Sequence, residues 1–311
     1  MIEAERILNK GIIDESFLVS EEKNGFFVTE KRKRMFAVLL DMLLEFDLVC
    51  KKNELSYFLC GGSLLGAIRH DGFIPWDDDI DIEMPRSDYE KLLMLENEFQ
   101  FPYFLENPHT DKYYAYSHSR LINENTTALN PVFAFQPIHH GIWISIFPVD
   151  HWKADDIENF RRIDQLNYDN STYMRLSNPW LDEKNFMRVK KWPQKDPVAV
   201  YDEIQSIATQ YNSEDTKFSR RIVVTALGYL QLYHTEDFAY SIPHQFEGYE
   251  VQIPVGWDRM LKIKYGDYMQ LPPMEKRGNW HSSIIFDPDI SYTEFLEEYK
   301  KDRRKIYDTG L

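Results

Sequence analysis

A run of aspartates follows a small-residue segment in the first third of the chain. Residues 58 to 84 read FLCGGSLLGAIRHDGFIPWDDDIDIEM, in which three consecutive aspartates are followed by another two positions later. Like charges at this spacing repel one another, and an ionised carboxylate is costly to bury without a partner. A positive charge that the segment does not itself supply must therefore balance these carboxylates.

Asp79 and Asp81 have the spacing of a ligand pair for a divalent cation. The stretch DIDIEM alternates strictly, so a strand from about residue 78 would place Asp77, Asp79 and Asp81 on one face and Asp78 on the other. Mg²⁺ and Mn²⁺ prefer oxygen ligands and often keep phosphate oxygens as further ligands. The spacing therefore predicts a Mg²⁺ or Mn²⁺ site at Asp79 and Asp81.

The residues before the aspartates are suited to a phosphate group. Gly61, Gly62 and Ser63 form a predicted turn between an apolar strand at 57–60 and a helix that begins with LLGAIRH. Small residues at a helix start leave backbone N–H groups and a hydroxyl accessible, and the helix dipole favours an anion there. Together, the turn and the acidic strand predict a site for a metal ion and a phosphate.

Composition limits the classes of partner and compartment. The chain has 311 residues and a net charge of −15, which argues against nucleic acid as the partner because such proteins usually carry a basic face. Cys50 and Cys60 have neither the spacing of a zinc site nor that of a disulfide framework. The apolar run at 35–50 is interrupted by acids, and the first residues do not resemble a signal peptide. We expect a cytoplasmic protein whose membrane association is at most peripheral.

Hydrophobic periodicity places these residues in a mixed α and β chain. It predicts a helix at 31–52, a helix capped by Ser87, a strand at 140–150 that stops at Pro148, and a strand and helix from 249 to the prolines after Gly266. In the 140–150 strand, Trp143, Ser145 and Phe147 share one face.

These motifs resemble the LicD/fukutin family of the nucleotidyltransferase superfamily. The resemblance rests on the glycine-serine turn with GFIPWDDDIDI (72–82), and continues at RLINENTTAL (120–129), HGIWISIFPVD (140–150) and FEGYEVQIPVGWDRMLKIKYGDYMQLPPMEKR (246–277). It leaves 151–245 unmatched.

The resemblance implies an α/β (α+β) fold with a nucleotidyltransferase-type mixed sheet core and a mostly helical additional region. We expect an N-terminal extension at 1–30, a catalytic core at 31–150, a variable helical region on the acceptor side at 151–245, and a C-terminal motif region at 246–311 that packs on the core.

The activity implied by the resemblance is metal-dependent transfer of a phospho-alcohol. Phosphocholine would pass from CDP-choline, or another group from another CDP-alcohol, to a hydroxyl of a cell-surface glycan or lipid-linked precursor, such as teichoic acid or lipopolysaccharide, with release of CMP. Gly61, Gly62 and Ser63 match the turn that holds donor phosphates. Asp79 and Asp81 match the metal-binding pair.

Ser145 departs from the family pattern, which commonly has an acid at this position. Serine is a poor base and a weak metal ligand. Three interpretations follow: Asp150 or His151 acts as the base, the metal alone acidifies the acceptor hydroxyl, or most of the activity has been lost.

Other side chains are candidate donor contacts. Arg120 and Arg69 have guanidinium groups that can bind two oxygens of a diphosphate, and Trp143 and Phe147 can stack on a base or enclose a quaternary ammonium. Weaker candidates in the C-terminal motif are Lys264, Lys276 and His281.

Two rival functions remain open from the sequence. Asp79, Ile80 and Asp81 form a DxD that a glycosyltransferase could use to hold a nucleotide-sugar through a metal. The serine at position 145 also fits a catalytically silent protein that binds a CDP-alcohol.

Overall fold

The structure is a computed structural model of the full chain. It describes residues 3–111, 113–114, 116–134, 136–176, 196–221, 231–278, 281 and 283–301. The variable region predicted at 151–245 lies partly outside the described residues.

Helices and strands follow one another irregularly along the described ranges. The α-helices are α1 (Glu3–Asn9), α2 (Glu30–Lys52), α3 (Gly61–His70), α4 (Arg86–Leu93), α5 (Ile157–Leu176), α6 (Pro197–Ala208), α7 (Trp257–Tyr265) and α8 (Tyr292–Lys301). Short 3-10 turns lie at Glu15–Leu18, Glu96–Glu98, Thr235–Phe238 and Met274–Lys276. The strands are β1 (Glu21–Lys23), β2 (Phe26–Val28), β3 (Phe58–Leu59), β4 (Ile80–Pro85), β5 (Tyr103–Glu106), β6 (Ser119–Asn123), β7 (Thr127–Leu129), β8 (Ile142–Trp152), β9 (Phe218–Arg221), β10 (Tyr233–His234), β11 (Ser241–Phe246), β12 (Tyr249–Pro254) and β13 (Ile285–Asp287).

Strand β8 is the central element of a seven-stranded sheet. The strands β10, β9, β8, β4 and β3 follow one another across the sheet, and β6 pairs with both β8 and β5. β4 runs parallel to β8, whereas β6 and β9 are antiparallel to it and pair with its first and last parts. This mixed sheet with its surrounding helices confirms the predicted α/β class.

Helix α2 begins where the periodicity predicts and lies in the core. The side chain of Thr29 caps it by accepting a hydrogen bond from the backbone N–H of Arg32 at 3.2 Å. Most of α2 is buried, including Arg32 and Asp41. A buried charge needs a partner, and Asp41 has the ammonium group of Lys10 at 2.6 Å.

The start of α3 differs from the prediction. Strand β3 has two residues, and α3 begins at Gly61, so the glycines are the first residues of the helix rather than a separate turn. Strand β4 begins at Ile80, so Asp77–Asp79 lie in the connection before it rather than in the strand. The aspartates therefore approach the amino end of α3 from an irregular segment.

Two further predictions about local boundaries were wrong. Strand β8 does not stop at Pro148: Ile146 is its last residue paired with β6 and Val149 its first paired with β9. The proline lies between these two partners, so its missing N–H interrupts neither ladder. Ser87 does not cap α4, because that helix follows Pro85 at its cap position and has no side-chain capping bond.

The described part of the predicted helical region also contributes to the sheet. It contains α5 and α6, and strands β9 and β10 extend the central sheet beyond β8. A second apolar cluster joins Trp152 to Phe160 and Ile163 of α5 and to Val200 and Ile204 of α6. None of the helices in the described ranges is long and apolar enough to cross a bilayer.

Candidate active site

A cavity of about 860 Å³ lies beside the amino end of α3. Its polar lining combines carboxylates and cationic groups, namely Asp77, Asp79, Asp81, Asp267, Arg69, Lys264 and Lys276, and its aromatic lining comprises Trp76, Tyr265 and Tyr268. Acids that can hold a metal and bases that can contact an anion therefore share one space. This combination suits a ligand that carries phosphate groups and binds with a divalent cation.

The aspartates divide as the alternation predicts. Asp77, Asp79 and Asp81 line the cavity. Asp78 is buried and accepts hydrogen bonds from the backbone N–H of His281 at 3.2 Å and from its Nδ1 at 2.7 Å. Only Asp81 lies within β4, so the common orientation of the three cavity aspartates does not come from a strand alone.

Burial and mutual repulsion make these carboxylates strong candidates for a cation. Burial raises the pKa of Asp79 well above its ordinary value, and the charges of Asp81 and Asp77 raise it further. The pKa of Asp77 is raised to about 7, first by burial and then by the charges of Asp78 and Asp81. Such groups take up either protons or a cation, and an all-oxygen donor set fits the predicted Mg²⁺ or Mn²⁺.

Small residues let these acids approach the helix start. Gly61 has a φ of +57°, and a Cβ there would lie 3.1 Å from Oδ2 of Asp81. A Cβ on Gly62 would collide with the carboxylate of Asp77. The hydroxyl of Ser63 accepts a hydrogen bond from the backbone N–H of Asp81 at 2.8 Å. The glycine-serine segment thus positions the acids, and its predicted role in holding donor phosphates stays a prediction.

Arg221 is a site residue that sequence reasoning missed. Its Nη1 lies 3.5 Å from Oδ2 of Asp81, its Nε lies 3.6 Å from Oε1 of Glu83, and its guanidinium lies 4.6 Å from the centre of the Phe147 ring. No motif marks it, because it lies in the unmatched region and reaches Asp81 only through the pairing of β9 with β8. Lys264, a weaker candidate from the sequence, lines the cavity.

Four paired residues form a row across one face of the sheet. Ser145 pairs with Asp81 of β4 on one side and with Arg120 of β6 on the other, and Arg120 pairs with Glu106 of β5. Directly paired residues point to the same face, so the regular β8 supports the predicted orientation of Ser145 toward Asp81. Strands lie about 4.8 Å apart, which puts Arg120 about 10 Å from Asp81.

Arg120 and Trp143 do not line the cavity. The guanidinium of Arg120 lies 4.2 Å from the Trp143 ring centre and 4.7 Å from that of Tyr116. Trp143 also stacks on Phe286 with 6.0 Å between ring centres. The structure therefore gives the predicted donor contacts of Arg120 and Trp143 no support, because each packs against the other on a neighbouring part of the sheet.

Asp150 and His151 are also placed apart from the aspartates. Asp150 is fully buried and accepts hydrogen bonds from Nε and Nη2 of Arg86 at 2.7 and 2.5 Å and from Asn212 at 2.7 Å. It lies five positions after Ser145, or about 17 Å along an extended strand. His151 binds a backbone carbonyl through Nδ1 at 2.8 Å. Neither placement supports the predicted role as general base.

Two comparisons relate the chain to known proteins. Residues 54–151 match the family described as LicD/FKTN/FKRP, nucleotidyltransferase domain. The chain is 28% identical over 262 residues to the lipopolysaccharide cholinephosphotransferase LicD of Haemophilus influenzae, an alignment that covers 78% of this chain and 93% of that protein. An uncharacterized protein of Rickettsia prowazekii is 26% identical over 101 residues, which cover 30% of this chain and 38% of that protein. Residues 54–151 are therefore a LicD-family domain, as the sequence predicted.

The raised pKa of Asp77 predicts that the metal-free protein loses stability as pH rises. Between about pH 4 and pH 7 the folded state would keep a proton that the unfolded state has lost, so the free energy of unfolding falls across this window. Asp77→Asn should remove this contribution, which is on the order of a few kcal/mol. Urea unfolding in EDTA at several pH values measures it.

Asp71→Asn is the matched control for this measurement, because Asp71 lies in the same segment but caps α3 in the left-handed region that asparagine also adopts. Equal pH dependence in Asp77→Asn and the wild type would contradict the assignment.

The buried ion pair of Asp150 and Arg86 should contribute to the stability of the fold rather than to catalysis. Asp150→Ala leaves a guanidinium buried without its partner and should lower the free energy of unfolding by about 3–5 kcal/mol. The exposed Glu297, which pairs with Lys300, provides the control Glu297→Ala, which should leave the free energy of unfolding unchanged within the error of the measurement. Unchanged stability together with a large fall in kcat would instead restore Asp150 as a catalytic candidate.

Proposed function

We propose that this protein transfers phosphocholine from CDP-choline to a hydroxyl of a cell-surface glycan or its lipid-linked precursor, with CMP as the leaving group. The observation that carries the proposal is the single cavity in which Asp77, Asp79 and Asp81 face the glycine-rich start of α3 among cationic side chains. The comparisons confirm the predicted enzyme class, a LicD-type phosphotransferase, at the level of the family. We choose phosphocholine because the Haemophilus influenzae relative is a cholinephosphotransferase.

The cavity offers separate partners for the parts of such a donor. Arg69, Lys264 and Lys276 can offset the charge of a diphosphate, and the N–H groups at the start of α3 can donate to its oxygens. When bound by Asp79 and Asp81, Mg²⁺ or Mn²⁺ would offset the carboxylates and polarise the phosphoryl group. Aromatic rings and a carboxylate in the same cavity suit a quaternary ammonium such as choline.

The proposed reaction is an in-line displacement at phosphorus. The acceptor hydroxyl oxygen forms a bond to the phosphorus of the phosphocholine group, the bond from that phosphorus to the bridging oxygen breaks, and CMP leaves with the electron pair. The hydroxyl proton must pass to a base. Ser145 is not a base, and Asp150 is held by Arg86, so the cavity aspartates are the nearest described carboxylates to the reacting groups. Of these, Asp77 is the one not assigned to the metal, so it is the candidate to accept this proton.

A donor screen tests the proposal directly. The purified chain is incubated with CDP-choline, CDP-glycerol, CDP-ribitol, CDP-ethanolamine and a UDP-sugar, with a glycan acceptor, in Mg²⁺, Mn²⁺ or EDTA. The expected result is metal-dependent release of CMP that is fastest with CDP-choline. Release of UDP would support the glycosyltransferase instead. Tight binding of CDP-choline without CMP release would identify a silent binding protein.

The metal pair should be essential for transfer. Asp79→Asn and Asp81→Asn each remove a charge that the proposed cation needs, so CMP release should fall by at least about 10²-fold. Asp71→Asn makes the same change in the same segment outside the cavity and should stay within about twofold of the wild type. Comparable turnover in all three variants would refute the metal assignment.

Ser145→Asp should raise the rate of transfer. Its carboxylate would stand beside Asp81 in the paired row, with Arg120 on the other side to offset the added charge. A general base contributes about 10²–10⁴-fold, so a gain of at least tenfold in kcat is expected if the serine limits the reaction. Ser145→Asn has a similar size without the charge and should show no gain. A large drop in melting temperature with no gain in rate would show that the residue faces the core.

A further inference from the structure

A second group of metal-ligand side chains lies outside the cavity. Glu106 ends β5, Asp111 lies in the connection to β6, and His139 lies in the segment before β8. Nδ1 of His139 is 3.4 Å from Oδ2 of Asp111 and 3.9 Å from Oε1 of Glu106. One ligand atom from each residue lies within 4.8 Å of the other two. Three chain segments thus bring a nitrogen and two carboxylate oxygens together.

An unpartnered oxygen of Glu106 points into this group. Glu106 is 1% exposed, and its Oε1 has no hydrogen-bond partner among the described residues. A buried carboxylate oxygen without a donor is costly, so a ligand for it is expected. The same Oε1 is the atom that faces Nδ1 of His139. The oxygen of Glu106 that has no hydrogen-bond donor is therefore one of the candidate metal ligands.

The second nitrogen of His139 is oriented as in metal-binding histidines. Its Nε2 lies 3.4 Å from Oε1 of Glu124, which follows β6. A histidine that binds a metal through one nitrogen commonly donates its other N–H to a carboxylate, which fixes the tautomer and the ring. Phe104 stacks on the same ring with 4.0 Å between centres. Nδ1 is thereby left to face the two buried carboxylates.

One ligand separation and the charge balance match a small divalent ion, and a slight approach of Glu106 would complete the set. In a tetrahedral site with bonds of about 2.0–2.1 Å, ligand atoms stand about 3.3 Å apart, close to the separation of His139 and Asp111. Metal binding displaces protons from its ligands, so with an ion bound Glu106, Asp111 and Glu124 would carry three negative charges, and Arg120, paired with Glu106 in the sheet, would supply one positive charge. Two negative charges are left, as a divalent cation requires. Imidazole together with carboxylates favours Zn²⁺ over Mg²⁺.

We propose that Glu106, Asp111 and His139 bind one zinc-type divalent ion, with Glu124 orienting the histidine. The site ties β5 to the segments before β6 and β8, so it is a structural site at the edge of the sheet. It lies three strand spacings, about 14 Å, from Asp81 in the row that runs through Ser145 and Arg120. It is thus separate from the proposed catalytic metal and does not depend on the proposed activity.

The test is Zn²⁺ binding in a protein whose cavity aspartates have been neutralised. The full chain carrying Asp79→Asn and Asp81→Asn is freed of metal with chelator and titrated with Zn²⁺ by calorimetry, and Co²⁺ is used as an absorbing probe. One Zn²⁺ per chain is expected. Adding His139→Ala should weaken it by at least about 10²-fold, and Glu124→Gln by about 10-fold to 100-fold. His109→Ala removes an exposed imidazole in the same connection and should change nothing.

A second variant covers the case in which His139→Ala fails to fold. Glu106→Gln keeps the shape of the side chain and removes its charge, so it should fold and lose Zn²⁺ affinity. The Co²⁺ absorption bands of the protein that carries only Asp79→Asn and Asp81→Asn give an independent measurement of a nitrogen ligand on the ion. Absence of Zn²⁺ binding in the background protein, or unchanged affinity in both His139→Ala and Glu106→Gln, would overturn the proposal.

Discussion

The carboxylates of residues 77–83 repel one another, and the rest of the site is arranged to offset this repulsion. Distant segments hold the backbone and side chains of this run: Nη1 of Arg32 donates to the carbonyl of Asp77 at 2.6 Å, His281 donates to the buried carboxylate that follows, and Arg221 stands over the last two acids. Each of these partners comes from a different element. Among the acids that face the cavity, Asp81 shares Arg221 with Glu83, whereas burial and mutual repulsion raise the pKa of Asp77 and Asp79. A cation therefore gains most beside Asp77 and Asp79.

Strand β8 connects the acidic segment to the other strands of the sheet. It runs beside β4, which carries Asp81, and its other edge is shared by β6 and β9. One strand therefore sets the distance from Asp81 to Arg120, to Arg221 and to the buried Asp150. The position of a residue along β8 decides whether its side chain can reach the cavity. The direction of its side chain decides only on which face of the sheet it lies. Asp150 is too far along the strand to serve there.

Local sequence was informative wherever neighbouring residues make the structure. The acids, the small residues and the helix at 31–52 could be identified because their spacing acts over a few positions. Arg221 could not, since only the pairing of β9 with β8 brings it to Asp81. The predicted strand end at Pro148 was wrong for a related reason. A proline ends a strand only where its N–H is needed for pairing, and Pro148 lies between the parts of β8 that pair with β6 and with β9. The glycine turn was misassigned because glycine at a helix start and glycine in a turn give the same sequence signal.

The row of Asp81, Ser145, Arg120 and Glu106 shows how a serine is accommodated beside Asp81. An acid at 145 would add a charge beside Asp81, and Arg120 would be its natural counter-ion. With serine there, Arg120 instead lies among the rings of Trp143 and its neighbours and keeps Glu106 as its paired carboxylate. The positive charge is then shared with the group around His139 rather than with the cavity. Changing residue 145 therefore alters the electrostatics on the Asp81 side of Arg120 and leaves the group around His139 on its other side unchanged in composition.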